Sequence, residues 1–308
     1  MEKFELIFNH INTHAEQFEQ QEMTYLEGVL AALEGTLDGQ FDWRVDGATK
    51  EDMRKAIQIA ILKGMRKGSQ PNHQMTPDTL GLLVGYFVEQ FFEGELGKGS
   101  ISVADLALGT GNLMLTVMNL LEGKIEATGV EVDELLIRLA AAAADLTQQP
   151  ISLFRQDALE SLLLDPVDAI ICDLPVGYYP NEEVSLDYEL CATGGMSYSH
   201  HLFIEQSLKH TKEGGYLFFI VPANLFETEQ AKQLHKFIKN HAWIQAVIQL
   251  PENMFSSKAY EKSIVILQKQ SGHLKAPREV LLAKVPNLSN KQALAMFFEK
   301  VQIWKENK

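Results

Sequence analysis

The stretch from Ile101 to Asn112, ISVADLALGTGN, constrains the fold of this chain more than any other. Its pattern predicts a β-strand that ends near Asp105, a glycine turn that begins at Gly109 and a helix from Leu113. Glycines at such a turn let the backbone approach a ligand closely, because no Cβ intervenes. The helix that follows presents unpaired N–H groups. The pattern indicates a ligand-binding edge of an α/β sheet, although a strand-to-helix turn that binds no ligand has the same sequence pattern.

The spacing around this turn favours one class of ligand. The third glycine of the dinucleotide-binding fingerprint is missing after Gly111. Asp105 lies four positions before Gly109, where a carboxylate would repel a pyrophosphate. The same carboxylate would attract an amino group and a positively charged sulfur, so the sequence favours S-adenosylmethionine over NAD.

The composition limits the classes of protein to which this chain can belong. The chain has 308 residues, 46% of them hydrophobic, which is enough for one large domain or a domain plus a smaller one. Lys and Arg number 27 against 41 Asp and Glu, a formal net charge of −14. This charge argues against unaided binding of duplex nucleic acid and leaves room for a local basic face or a basic partner subunit. The two cysteines, Cys172 and Cys191, have no metal-ligand spacing and form no disulfide framework.

The sequence offers no targeting or membrane signal. Its first residues, MEKFELIFNH, lack the basic region and long apolar run of a signal peptide. No apolar run reaches the length of a membrane span. We therefore expect a cytoplasmic protein that uses no metal and no membrane.

Hydrophobic periodicity predicts three regions along the chain. Residues 1–70 read as an α-helical N-terminal domain, with helices over 1–37 and 50–67, and a polar linker covers 68–73. The helix over 50–67 is basic, which favours a solvated helix face over a partner or nucleic-acid contact. Residues 71–270 form the α/β domain and 271–308 a C-terminal extension packed on it.

Strand and helix patterns alternate from Ile101 onward, which predicts a parallel sheet with helices on both faces. The last two strands are separated by a short gap, which favours an antiparallel hairpin. The strands are predicted to begin at Ile101 and to cover 126–130, 151–154, 168–172, 215–221, 246–250 and 262–268, and the helices to cover 80–92, 113–121, 133–146 and 198–210. The first of these helices has Thr76 as its predicted N-cap and Pro77 as its first residue.

Four acidic residues fall at the carboxyl ends of four successive predicted strands, where open parallel sheets bind ligands. Glu131 suits the two hydroxyls of a ribose, Asp157 an adenine amino group, and Asp105 the methionine end of the cofactor. Asp173 differs, because the sequence LPVGYYP follows it. A carboxylate before a proline turn with two aromatic residues suits a planar amine.

These residues carry a family resemblance. The segment Asp105–Asn112 resembles the D-P-A-C-G-T-G-N motif of class I S-adenosylmethionine-dependent methyltransferases. It is similar in particular to the N6-adenine DNA methyltransferases, which include the modification subunit of type I restriction systems. Residues Gln74 to Pro77 resemble that family's Thr-Pro motif, which lies over the methionine part of the cofactor, and Asp173 to Val176 resemble its (N/D)-P-P-(Y/F) motif. Later stretches, in order around 214–216, 221–222, 250–255 and 262–267, extend the resemblance over about 70–270.

The resemblance implies a Rossmann-like, seven-stranded class I methyltransferase sheet with helices on both faces, plus the small helical N-terminal domain. It implies S-adenosyl-L-methionine as cofactor. The predicted cofactor-binding residues are Thr76, Pro77, Asp105, Ala107, Gly109, Thr110, Gly111, Asn112, Glu131, Val132, Asp157 and Ala158, and the predicted catalytic residues are Asp173, Leu174, Pro175, Tyr178 and Tyr179.

In the family motif, the acidic or amide side chain and a backbone carbonyl accept hydrogen bonds from the target amino group. Asp173 and the carbonyl of Leu174 can serve in this way. Val176 stands where the family has the aromatic residue that stacks on the flipped-out base, so Tyr178 or Tyr179 is the candidate substitute. Leu174 replaces the first proline, which makes the turn less rigid.

The sequence thus predicts an N-methyltransferase of the adenine-N6 type that acts on nucleic acid, DNA ahead of RNA. Recognition would come from a partner subunit, because the sequence shows no target-recognition domain. Two alternatives stay open: a methyltransferase-fold module that binds the cofactor with little or no transfer, and a protein amide N-methyltransferase. A purely structural subunit is a third, which the carboxylates disfavour.

Three further features receive structural interpretations. His200 and His201 are predicted at a helix start without a metal, and Cys172 as a buried strand residue. The pair Gly194 and Gly195 marks either a lid over the substrate or a simple turn.

Overall fold

The computed structural model describes residues 2–43, 45–68 and 75–306. Residues 69–73 of the predicted linker, and Gln74 of the Thr-Pro motif, lie outside this described part. The chain divides into two compact units, Met1–Asp157 and Ala158–Lys308. The predicted division at residues 70 and 270 stays a prediction.

The described part of the first unit begins with the helices α1 (Lys3–Glu19), α2 (Tyr25–Leu37), α3 (Lys50–Lys67), α4 (Asp78–Phe91) and α5 (Glu93–Leu96). The prediction of one helix over 1–37 was wrong, because α1 ends at Glu19 and a new helix starts at Tyr25, after the N-cap Thr24. The hydroxyl of Thr24 accepts a hydrogen bond from the backbone N–H of Glu27, whose carboxylate accepts one from the Thr24 N–H. This capping box fixes a separate helix start.

The start of α4 also differs from the prediction. Its N-cap is Pro77, in extended conformation with ψ of 146°, and Asp78 is the first helical residue. The predicted cap, Thr76, lies one position further out. A carboxylate at the first helical position interacts favourably with the helix dipole, so Asp78 takes the place that we predicted for Pro77.

Three parallel strands follow in the first unit: β1 (Ile101–Asp105), β2 (Ile125–Glu131) and β3 (Ile151–Arg155). Helices α6 (Asn112–Leu120) and α7 (Glu134–Thr147) connect them. β2 pairs with both neighbours, with Asp105 beside Gly129 and Glu131 beside Arg155. The strand ends therefore lie along one edge, as predicted.

The N-terminal helices share one hydrophobic core with α7. Buried side chains of α1, α2 and α3 pack in one cluster with Leu139 and Ala143 of α7. A Cβ built on Gly28 of α2 would lie 2.7 Å from the Ala15 carbonyl oxygen, so α1 and α2 approach closely where the side chain is smallest. Apolar burial of this kind is the main source of the stability of such a helix group.

Over the residues that the structure describes, 158–306, the second unit contains five strands and four helices. They are β4 (Val167–Asp173), α8 (Glu182–Ser185), α9 (Ser199–Lys209), β5 (Thr211–Pro222), α10 (Ala231–His241), β6 (Ala242–Gln249), β7 (Lys262–Lys269), β8 (Leu281–Lys284) and α11 (Lys291–Glu306). Short 3-10 turns cover Glu252–Met254 and Lys258–Tyr260.

The strand order in this unit is β4-β5-β7-β6-β8. β4 and β5 are parallel, whereas β7 is antiparallel to both β5 and β6, which confirms the predicted hairpin. The prediction of seven strands was one too few, because residues of the C-terminal extension form β8 and pair with β6 in parallel. Helix α10 was not predicted, although Leu234, Phe237 and Ile238 form its buried face.

No helix in the described part of the chain is both long and apolar enough to cross a membrane. Over the same residues, no group of three or more His, Cys, Asp and Glu side chains is arranged to hold a metal ion.

Candidate functional site

The glycine turn after β1 has the geometry of a ligand cradle. Gly109 and Gly111 have φ values of +57° and +78°, in the left-handed region that glycine tolerates. A Cβ on Gly111 would lie 3.2 Å from the Cβ of Ala140, so Gly111 also permits close packing on α7. Around Gly109 nothing lies within 4 Å of the corresponding position. The backbone at Gly109 is therefore open to a ligand.

Both oxygens of the Glu131 carboxylate accept backbone hydrogen bonds. Oε2 accepts one from the Gly109 N–H at 2.8 Å, and Oε1 accepts one from the Asp133 N–H at 2.9 Å. One carboxylate thus joins the turn after β1 to the turn after β2. Val132 follows directly and is 61% exposed, which places an apolar surface beside the carboxylate. A ribose and the face of a purine are groups that fit such an arrangement.

The other predicted cofactor residues lie in or near these turns. Asp105 is buried, and its Oδ1 accepts a hydrogen bond from the Ala107 N–H at 3.0 Å, while Thr110 is buried beside it in the turn. Asp157 is half-buried, two residues beyond β3. Ala158 is buried in the second unit, where its carbonyl accepts a hydrogen bond from Gln206 at 2.7 Å.

The structure joins the predicted Thr-Pro segment to the glycine turn. The side-chain amide of Asn112, the residue after Gly111, donates a hydrogen bond to the Thr76 carbonyl at 2.7 Å. It donates a second to Asp78 Oδ1 at 3.1 Å. Two segments that are far apart in sequence are therefore held together by one side chain.

The basic character of α3 has a structural explanation. Its cations pair with carboxylates of the first unit: Lys55 with Glu51, Lys63 with Glu16, Lys67 with Glu19, and Arg54 with Glu51 and Asp78. Burial acts to raise the pKa of Asp78, but hydrogen bonds and charge from Arg54 lower it. Much of the positive charge of α3, which could have indicated a contact with a partner or a nucleic acid, is thus paired with carboxylates of the first unit.

In the second unit, β4 ends at Asp173. Backbone hydrogen bonds hold the loop that follows. Leu174 is buried, and its N–H donates to the Ile220 carbonyl at 3.0 Å. Further along, the Tyr179 N–H donates to the Ser197 carbonyl and the Ser199 N–H donates to the Gly177 carbonyl, each at 2.9 Å. These contacts fix the backbone on both sides of Tyr178. Pro175 lies half-buried at the start of the loop.

The two candidate aromatic residues differ in exposure. Tyr178 is 52% exposed, whereas Tyr179 is 6% exposed. The ring of Tyr178 stacks on that of Tyr198, with centroids 4.9 Å apart and planes 13° from parallel. Tyr198 stacks in turn on His200 at 5.0 Å. Tyr178 is therefore the residue whose ring is accessible to a planar ligand, and Val176 beside it is exposed but has no ring.

Lys262 was not among the predicted site residues, yet its Nζ lies 2.6 Å from Asp173 Oδ1. The two side chains are 21% and 15% exposed. β7 runs antiparallel to β5, so its first residue, Lys262, pairs with the last residue of β5, Pro222. The predicted hairpin already implied that β7 starts at the edge where β4 and β5 end. The antiparallel direction was therefore the signal that could have identified Lys262.

The loop that contains Gly194 and Gly195 is anchored on both sides. The buried carboxylate of Glu205 accepts hydrogen bonds from the Glu189 and Leu190 N–H groups, at 3.1 and 2.9 Å. Gln233 and Gln230, both on or next to α10, donate to the carbonyls of Cys191 and Met196. Residues 193–195 are the exposed stretch between these anchors.

Cys172 is fully buried in β4, as predicted, and His200 and His201 are buried in the first turn of α9. Burial lowers the pKa of His200 to about 4. Burial, with a smaller contribution from His200, lowers the pKa of His201 to about 3. Both imidazoles are therefore neutral near pH 7.

We expect the stability of the fold to decrease as the pH falls below about 6.5, because the unfolded chain then binds protons that the buried imidazoles cannot. The loss continues to about pH 4 for His200 and about pH 3 for His201. Each imidazole contributes a slope of up to about 1.4 kcal/mol per pH unit. Urea unfolding at several pH values between 7 and 5 measures this slope of stability against pH. His201→Phe should reduce the slope and the exposed His273→Ala should not; equal slopes in all three proteins would contradict the assignment.

Residues 74–304 match the family N-6 DNA Methylase, and this match covers both the glycine turn and the Asp173 loop. The chain belongs to the N-6 DNA methylase family. This family member is 49% identical over 255 residues to the uncharacterised Bacillus subtilis protein YtxK, a match that covers 82% of the chain and 77% of YtxK.

A solved structure resembles this chain along nearly its whole length. It is a Listeria monocytogenes protein provisionally described as a class I S-adenosylmethionine-dependent methyltransferase. It is 40% identical, with a TM-score of 0.91 over 98% of this chain and 99% of that one. The predicted class I methyltransferase fold is confirmed.

A more distant structure shares the fold alone. The methyltransferase subunit of a type I restriction-modification system from Streptococcus thermophilus is 16% identical, with a TM-score of 0.66. The match covers 92% of this chain and 62% of that subunit.

Proposed function

We propose that this protein is an S-adenosylmethionine-dependent N-methyltransferase whose acceptor is the amino group of adenine in nucleic acid, DNA ahead of RNA. The observation that carries the proposal is the placement of the exposed, stacked ring of Tyr178 in the loop that directly follows Asp173, at the end of β4. A carboxylate oxygen accepts a hydrogen bond from an amino group, and a tyrosine ring stacks on a base. Membership of the N-6 DNA methylase family supports this assignment.

The first unit supplies the groups for the cofactor. The open backbone at Gly109 fits a close approach, the Glu131 carboxylate fits ribose hydroxyls, and Val132 fits the purine face. The buried carboxylate of Asp105 fits a positively charged amino group near the turn. When bound there, S-adenosylmethionine supplies a methyl group on a positively charged sulfur.

The second unit supplies the groups for the acceptor. Asp173 and the Leu174 carbonyl accept hydrogen bonds from the amino group, which directs the nitrogen lone pair toward the methyl carbon. The N–C bond forms as the C–S bond breaks, and the nitrogen then loses one proton to solvent. Transfer of this kind depends on positioning more than on acid–base strength.

Recognition of nucleic acid is assigned to a partner chain. The net charge of −14 opposes approach to a polyanion, and many cations of α3 are already paired. A basic partner would supply both attraction and sequence recognition.

A second candidate function is cofactor binding with little or no transfer. One observation favours it: the ammonium group of Lys262 lies 2.6 Å from the carboxylate that should receive the acceptor. Val176 adds to this, because it provides no ring at the position where the family has one.

Radiolabelled methyl transfer tests both candidates. The purified chain is incubated with labelled S-adenosylmethionine and with DNA, RNA and protein fractions from cells that lack it, with and without the extract of those cells. Label recovered as N6-methyladenine supports the proposal, and label in protein alone supports the amide alternative. Cofactor binding without label in any fraction supports the second candidate. Failure to bind the cofactor would refute the proposal.

We expect Tyr178→Ala to reduce transfer to adenine by about tenfold to a hundredfold, because stacking on an aromatic side chain contributes ~1–3 kcal/mol per base. Tyr178→Phe keeps the ring and should retain activity within about twofold. The neighbouring exposed residue offers a matched control, Val176→Ala, which should have little effect. Steady-state rates at saturating cofactor measure this, and wild-type rates for Tyr178→Ala would exclude the stacking role.

A further inference from the structure

Arg54 is a buried cation of α3 that the proposed function does not yet use; its side chain is 5% exposed. Its guanidinium donates to four side chains. Nε and Nη2 donate to the two Glu51 oxygens, at 2.8 and 2.9 Å, and Nη2 also donates to Asp78 Oδ2 at 2.8 Å. Nη1 contacts Asp78 Oδ1, Asn112 Oδ1 and Thr116 Oγ1 at 3.0, 3.1 and 3.2 Å.

The hydrogen bonds of Arg54 connect, through Asn112, to the backbone of the Thr76 segment that is proposed to bind the cofactor. Asn112 accepts from Arg54 through its oxygen and donates through its nitrogen to the Thr76 carbonyl and to Asp78. Asn112 is the first residue of α6, next to Gly111 of the turn. Arg54 therefore orients Asn112, a side chain that connects the turn to Thr76.

Arg54 is not the main attachment of the N-terminal helices. Those helices share an apolar core with α7, and the exposed ion pair between Arg138 and Glu34, at 2.8 Å, joins α7 to α2 as well. Arg54 instead contacts α4 and α6, the two helices that follow the predicted cofactor segments. A bidentate guanidinium is needed there, because a lysine ammonium cannot present donors in several fixed directions.

We propose that Arg54 is a positioning residue for the cofactor site. It holds Asn112 and Asp78 so that the glycine turn and the Thr76 segment keep the geometry that receives the amino-acid end of the cofactor. This inference rests on the proposed function. It makes the helical N-terminal region a contributor to cofactor affinity through a residue that does not touch the cofactor.

The proposal separates two ligands that share the adenosine part. S-adenosylhomocysteine carries the amino-acid end, and methylthioadenosine lacks it. Loss of Arg54 should weaken binding of S-adenosylhomocysteine by roughly tenfold or more and binding of methylthioadenosine by less than about twofold, because only the first ligand carries the amino-acid end that the Thr76 segment is proposed to receive. A general loss of stability would weaken the binding of both ligands to the same extent.

The experiment is titration calorimetry of both ligands with the full chain and four variants. Arg54→Met removes the guanidinium, and Arg54→Met with Asp78→Asn also removes the carboxylate left without its cation. Arg54→Lys retains the positive charge without the fork, and Arg138→Met is the control for helix docking. We expect the ratio of the two dissociation constants to change in all three Arg54 proteins and to stay at the wild-type value in Arg138→Met.

An unchanged ratio in the double variant, folded by circular dichroism, would overturn the proposal, because Arg54 would then only balance a buried charge. So would an equal change of the ratio in Arg138→Met. Absence of binding of either ligand to the wild-type chain is a different result, which refutes the proposed function itself.

Discussion

Asp173→Ala should reduce methyl transfer by at least about a hundredfold and leave the dissociation constant of the cofactor within about twofold of wild type. The carboxylate is assigned to the acceptor, so its removal takes away a hydrogen bond that directs the attacking lone pair. The groups proposed for the cofactor, around Gly109 and Glu131, lie in the first unit and do not include this side chain. Transfer rates and calorimetry of the same preparations measure the two effects.

A matched control lies in the same strand. Asp168 also carries a carboxylate on β4 and also pairs with a lysine, Lys212, at 2.7 Å. Asp168→Ala should therefore retain transfer. Asp173→Asn keeps an acceptor oxygen and should give an intermediate rate. If Asp173→Ala loses cofactor binding and transfer together, or loses neither, the assignment of this residue to the acceptor is wrong.

Glu131→Ala should raise the dissociation constant of the cofactor by about a hundredfold, because hydrogen bonds to a charged group contribute about 1.5–3 kcal/mol each. The effect has two parts. The variant loses the predicted contact with the ribose, and it also releases the Gly109 and Asp133 N–H groups that shape the two turns. We therefore expect the melting temperature to fall as well, which differential scanning calorimetry measures.

Glu126 provides the comparison on the same strand. Its carboxylate is exposed and accepts a hydrogen bond from Ser100 at 2.6 Å, away from the carboxyl end of β2. Glu126→Ala should change neither the dissociation constant of the cofactor nor the melting temperature appreciably. Wild-type cofactor affinity in Glu131→Ala would show that the open turn at Gly109 does not serve as the cofactor cradle.

Local sequence patterns were sufficient to predict the elements of the sheet edge. The strand, turn and helix around Gly109 follow from alternation, glycine chemistry and helical periodicity, each of which acts within a few residues. The same is true of the positions of Asp105, Glu131 and Asp173 at strand ends. The errors near Thr24 and Thr76 concern where a helix begins: the break between α1 and α2 was missed, and the N-cap of α4 was placed one residue too early.

Contacts between distant residues could not be predicted in this way. Arg54 and Asn112 are separated by two helices in sequence, and nothing local distinguishes Arg54 from the other cations of α3. The ion pair of Lys262 with Asp173 depends on strand order and direction together. Strand β8 is four residues long, and its pairing with β6 rather than its own propensity makes it a strand.

The bifunctional carboxylate of Glu131 has a consequence for how this architecture can be modified. The group proposed to select the ligand is also the group that closes two backbone turns. Selectivity and foldability are therefore coupled at one position. A redesign for a ligand without a ribose would first have to supply new acceptors for the Gly109 and Asp133 N–H groups, and only then could the pocket be reshaped.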